Sequence, residues 1–203
     1  MNVYVESNFV LEQAFEQEQC ESCDRLIEIS REGRIRIVIP AFSLAESHIA
    51  LMRKGSERAR FVSELQRQLA ELARSKSFQN DLATVTGLLA PLLQSRDRER
   101  ARLEQAVHAL IETADIIPLT ADVLRDATGF QAMLDLSFQD SVVLGSVLRH
   151  LRRTAPAESC FLNRNTADFA NPKVRDLLEH QRCRFFGRFD DALGYTEAWL
   201  RQR

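Results

Sequence analysis

VYVESN, residues 3–8, is a short apolar run that stops on an acid, Glu6, and two small polar residues, Ser7 and Asn8. Three further runs share its β-rich character: IRIVI (Ile35 to Ile39), SCFLN (Ser159 to Asn163) and CRFF (Cys183 to Phe186). Helical patterns separate them. Strands that alternate with helices predict a parallel sheet covered on both faces. The runs are continuously apolar, as strands buried on both sides should be. The expected architecture is a doubly wound α/β sandwich.

Between Arg53 and Ala114 there is no strand signal. Phe61, Leu65, Leu69 and Leu72 fall on one face at helical spacing, and Leu103, Val107, Leu110 and Ile111 repeat the pattern. The apolar stretch Leu82 to Leu93 reads as a third helix between them, ending near Pro91 to Ser95. No low-complexity linker or repeat interrupts the chain. Residues 1–203 are therefore expected to form a single domain with a helical insertion at about 53–114. Further helices are expected over Thr120 to Leu136, Ser137 to Arg153, Lys173 to Gln181 and Asp190 to Leu200.

The chain carries 27 basic and 29 acidic residues, so a polyanion must meet a local basic patch and not a global field. Its apolar fraction of 45% suffices for a sizeable core. The opening MNVYVESNFV has no basic segment followed by a long apolar stretch, and no later segment reaches the ~20 apolar residues of a membrane span. A cytoplasmic protein without membrane contact is expected. Cys20 and Cys23 form a C-x-x-C pair, but Cys160 and Cys183 are far apart and inside expected strands, so reduced thiols are favoured over a zinc site.

In an open parallel sheet, ligands bind beyond the carboxyl ends of the strands. Glu6 follows the first strand, Glu46 lies just inside the helix after the second, and Asn165 and Asp168 follow SCFLN. Asp140 reaches the same edge if its helix feeds that strand by a right-handed crossover. Gathered carboxylates repel one another unless cations sit among them. Magnesium or manganese suits such oxygen donors and supports phosphodiester hydrolysis. Taken singly, each acid has a plainer reading. Glu6 can be a solvated strand end and Glu46 a polar helix position. Ser137-Phe-Gln-Asp140 matches a capping box, and Asp168 can cap a turn. It is their order that favours a site.

These segments resemble the PIN-domain nucleases, a family that includes VapC-type toxins and RNA-processing endonucleases. VYVESN is similar to the family's first strand ending in D-x-N, and IPAFSLAE to its second-acid segment. FQDSVVLGSVL resembles the helix that begins with the third acid, CFLNRNTADF the strand and loop carrying the fourth, and CRFFGRFDDALGY the last strand and helix. The resemblance covers nearly the whole chain outside residues 53–114. It implies a three-layer α/β/α PIN-like sandwich with a central parallel sheet. It also implies Mg2+ or Mn2+ held by Glu6, Glu46, Asp140 and Asp168 as catalytic ligands, with Asn8 and Asn165 as polar supports or water-mediated ligands. Two positions depart from the pattern: Glu6 replaces the usual aspartate, one methylene longer, and Asn165 stands where many members have another acid.

Arg164 is the favoured phosphate contact, ahead of Arg53, Lys54 and Arg58. Arg96, Arg98, Arg100 and Arg102 are interleaved with acids and read as a solvated helix with internal ion pairs. His48, His108, His150 and His180 are dispersed, and Ser7 and Ser43 lack a histidine partner or nucleophile elbow. Glycine-rich phosphate loops are absent. The leading expectation is a metal-dependent endoribonuclease acting on RNA, with DNA not excluded. It includes a toxin masked by an antitoxin or other protein partner, and homodimers of the kind common in the family. The alternative is a catalytically weakened RNA-binding or protein-interaction module.

Overall fold

Alternate residues of each strand feed opposite layers, and this fixes the architecture. In the computed structural model, which describes residues 1–75, 82–169 and 171–202 and omits the side chains of 82–91 and 93, five parallel strands form one sheet. They are β1 (Asn2–Tyr4), β2 (Arg36–Pro40), β3 (Asp115–Ile117), β4 (Ser159–Leu162) and β5 (Cys183–Phe186), in the order β3-β2-β1-β4-β5. Central β1 pairs in register with β2 (Val3 with Ile37) and with β4 (Val3 with Cys160).

Val3, Ile37 and Cys160 face one core, shared with α1 (Ser7–Ala14), α2 (Cys20–Arg31), α9 (Phe189–Arg201) and the end of α4 (Leu82–Thr113). Tyr4, Val38 and Phe161 face the other, against α5 (Ala121–Leu134), α6 (Phe138–Thr154), α7 (Thr166–Phe169) and α8 (Pro172–Glu179). The result is a three-layer α/β/α sandwich. Both cores are continuously apolar, which is why the strand runs lack an exposed alternate face.

The helical region differs from its expected outline. α3 spans Ala41–Leu72, so Glu46 and the helix after Arg53 belong to one continuous element. α4 runs without a break through Pro91, where a stop was expected. On the expected apolar face of α3, Phe61 is 60% exposed, Leu72 is exposed and Leu65 and Leu69 are half-buried, while Val62 beside them is buried. α3 packs mainly on α4, so its buried face is set by that neighbour and not by its largest apolar side chains. On α4, Leu103 and Leu110 are fully buried but Ile111 is exposed. β3 was not anticipated: three residues at a sheet edge, with only Ile117 buried, leave little pattern in the sequence. Among the described residues, no helix is long and apolar enough to cross a membrane.

Candidate active site

The strand order reverses direction at β1: the chain moves outward through β2 and β3, then crosses to β4 on the other side. Crevices form at such switch points, beyond the carboxyl ends of the strands. A cleft of about 690 Å³ lies here, lined by Glu6, Ser7, Asn8, Glu46, Asp140, Arg164 and Asn165, among others. Asp168 does not line it, and joins it through Asn165.

Glu6 is the N-cap of α1. Its Oε2 accepts the Asn8 backbone N–H at 3.1 Å and the Ser7 hydroxyl at 2.8 Å. The residue is only 3% exposed, far from the solvated strand end of the plainer reading. Its Oε1 is buried and has no hydrogen-bond partner. Burial, with a smaller contribution from the Glu46 charge, pushes the Glu6 carboxyl up to about 7. Glu46, on α3, is also raised, by burial and then by Asp140, against hydrogen bonding from Ser7. The Ser7 hydroxyl, whose one proton goes to Glu6, is also near enough to Glu46 to moderate its charge.

Asp140 lies in the first turn of α6. The Ser137 hydroxyl accepts its backbone N–H at 3.1 Å and donates to its Oδ2 at 2.6 Å, so the capping role and the cleft position coexist in one residue. Burial raises its carboxyl, and the Asp168 charge raises it further. Asn165 Nδ2 donates to Asp168 Oδ2 at 2.7 Å and approaches Asp140 Oδ1 at 3.5 Å. Its own backbone N–H is fixed by Asn163 Oδ1 at 2.7 Å. The four acids form an electrostatic row, Glu6 to Glu46 to Asp140 to Asp168, each raising the carboxyl before it, and Asn165 ties Asp140 to Asp168.

They do not form a closed cage. Among the described residues, no group of three acidic, histidine or cysteine side chains is close enough to hold a metal ion. The donors are nevertheless hard oxygens, and the orphaned Glu6 Oε1 is a buried acceptor in need of a cation. Magnesium usually keeps several waters and binds through one or two carboxylates, so an open row suits it better than a cage would.

Arg164, the expected phosphate contact, lines the cleft but is already engaged by acids. Its guanidinium pairs with Glu12 and, at 2.7 Å, with Glu18. Glu12 is 1% exposed, and a buried carboxylate holds its counterion tightly. Its other oxygen accepts the Gln19 backbone N–H at 2.7 Å. The cleft cations with less claim on them are Arg53, 4.0 Å from Glu57, and Lys54, over the Phe15 ring. Sequence reasoning missed Glu12 and Asn163, which read as ordinary polar positions, and it weighed Ser7 only as a nucleophile. The described cysteines form no disulfide, and burial raises every thiol.

A family model described as the PIN domain matches residues 3–169, from β1 through α7. Among solved structures, the chain is similar to one in the crystal structure of VapBC2 from Rickettsia felis bound to a DNA fragment from their promoter. Identity is 11% and the TM-score 0.45, over 92% of this chain and 98% of that one. The comparison with curated proteins gives no match.

Proposed function

This chain belongs to the PIN-domain family of nucleases, and from that premise we propose that it is a metal-dependent endoribonuclease whose acids are Glu6, Glu46, Asp140 and Asp168. The observation that carries the reading is the buried, unpartnered Glu6 Oε1 at one end of a row of four carboxylates. Such a row is costly to fold, and the helix-capping contacts of Glu6 and Asp140 do not require four acids to be gathered; a cation among them offsets the cost.

A magnesium or manganese ion there would supply a more acidic water and charge neutralisation at the phosphodiester oxygens. The chain's own residues do the rest. Glu6 presents a carboxylate oriented by Ser7, Glu46 stands along the same cleft, and Asn165 orients Asp168 against Asp140. Asn8 supports Glu6 through its backbone N–H. Arg53 and Lys54 supply positive charge to the substrate backbone, while Arg164 fixes the loop after β4 by pairing with Glu12. Residues 1–203 act as one domain, in which α3 forms a wall of the cleft and α4 packs against α3. A protein partner that masks the cleft, as in VapC-type toxins, belongs to the proposal.

A second reading, a binding module with weakened catalysis, draws on the absence of a three-acid cage among the described residues. Manganese titration with an RNA cleavage assay separates the two. The nuclease reading expects millimolar or tighter manganese binding and cleavage abolished by Asp140→Asn. Wild-type protein that binds manganese and RNA but leaves the RNA intact would establish the module instead. Co-expression with a neighbouring gene product tests masking, which predicts relief of growth arrest.

A further inference from the structure

Two large apolar side chains in the acid cleft contribute little to the fold. Phe138, at the first position of α6, is 43% exposed, and Ile49, on α3, is 65% exposed; both line the cavity that holds Glu6, Glu46 and Asp140. Phe138 belongs to neither of the large apolar clusters among the described residues. It lies two positions before Asp140 on the same helical turn, and Arg53 and Lys54 line the same cavity from α3. Aromatic face, cations and carboxylates therefore share one open recess.

We propose that Phe138 is a base-stacking residue that selects single-stranded nucleic acid, holding the nucleobase beside the phosphodiester that the acids approach. This rests on the nuclease reading for the identity of the site and adds the form of its substrate. A nucleobase stacks on an aromatic ring whatever its sequence, because every base has a π-face. The same chain brings phosphates, for which Arg53 and Lys54 have the complementary sign. A duplex keeps its bases stacked inward and cannot offer one to the ring without unpairing. An apolar segment of a partner protein would fill the recess equally well but would make no use of the cations.

The test uses the full chain with an RNA 8-mer carrying 2-aminopurine, single-stranded or annealed to its complement, in millimolar calcium. Binding is read by anisotropy and stacking by quenching of the 2-aminopurine. Cleavage of unlabelled single strand in manganese runs in parallel. Phe138→Ala is expected to weaken single-strand binding roughly 5- to 150-fold and to abolish quenching, while Phe138→Trp retains both. Duplex binding should change little. Met133→Ala, an exposed apolar position that does not line the cleft, should match wild type.

The proposal falls if Phe138→Ala binds and quenches like wild type, or if single strand and duplex weaken equally. Full binding by Phe138→Leu would also overturn it, showing that the position needs apolar bulk and not an aromatic face. Wild type that binds and quenches without cleaving sinks the nuclease reading and leaves this inference standing. Phe138→Ala that cleaves single strand at the wild-type rate sinks this inference alone.

Discussion

The Ser7 hydroxyl donates to Glu6 Oε2 at 2.8 Å, so the first acid of the row is held by its neighbour in sequence at the point where β1 gives way to α1. The same hydroxyl lowers the cost of charge on Glu46. Ser7→Ala should therefore loosen the Glu6 carboxylate without disturbing either core. Side chains that orient metal-binding carboxylates are typically worth about 10- to 100-fold in metal affinity. Manganese affinity by calorimetry is expected to fall by that order, with the melting temperature in EDTA nearly unchanged.

Glu6→Gln tests the orphaned oxygen itself. The substitution keeps an acceptor for the Asn8 N–H and removes a buried carboxylate near Glu46. The amide that replaces Oε1 is itself left unpaired, so the gain is that of removing the buried charge: above pH 7, where Glu6 is ionised, the metal-free variant should be more stable than wild type by about 1 kcal/mol. Wild type should gain about 2.7 kcal/mol from manganese at a hundred times its Kd, and the variant much less. Denaturation with and without manganese checks both signs. A variant less stable in EDTA would mean that capping of α1 outweighs the charge.

The Asp168 loop depends on a close approach further along the chain. A Cβ on Gly187 would stand 2.5 Å from Thr166 Cγ2, at the start of α7. Gly187→Ala should displace this loop, cost about 1–3 kcal/mol as overpacking does, and lower activity with it. Thr166→Ser removes the obstructing methyl, so the double variant should recover most of both losses. Coupling of this kind is what a double-mutant cycle measures.

How far the sequence announced all this differs by element. β1, β2 and β4 were legible because both faces of the sheet are covered there and their runs are almost wholly apolar, and edge strand β5 through its paired phenylalanines; β3 escaped because an edge strand of three residues has almost no buried face. α3 and α4 were legible as helical but not in extent, since their boundaries and buried faces are set by packing on each other. Of the candidate site, the positions of Glu6, Glu46 and Asp140 along the cleft followed from topology. The partnership of Glu12 with Arg164 did not, because it joins residues 152 positions apart.

His150 provides a pH test away from the cleft. It is buried on α6, with Nδ1 2.8 Å from Tyr4 Oη. Burial lowers its pKa; the charges of Arg153 and Arg36 act the same way, and Asp115 opposes them. The unfolded chain therefore takes up the proton first. The stability due to neutral His150 is complete above about pH 6.5 and is lost as pH falls toward the depressed folded value. His150→Gln should be less stable than wild type at pH 7.5, by about 1 kcal/mol for the lost hydrogen bond, and should lose less on going to pH 5.5. Urea denaturation at the two pH values gives the comparison.

Arg164 and Arg53 share the cleft but should fail differently when replaced. Arg164 neutralises Glu12, whose side chain is fully buried, and removing one partner of such a pair leaves an uncompensated charge. With the guanidinium about one-third exposed, Arg164→Ala should cost about 3 kcal/mol, the low end of the range for buried pairs. Glu12→Gln in the same chain should return much of that loss, because the stranded charge is gone. Arg53 is 70% exposed and only 4.0 Å from Glu57, so Arg53→Ala should leave stability within about 0.5 kcal/mol. Its effect should appear in RNA binding instead, as a weaker complex whose salt dependence has a slope smaller by roughly 0.7. If Arg164→Ala kept full stability and reduced that slope, the phosphate contact would belong to Arg164 after all, and its pairing with Glu12 would be a resting position that substrate displaces.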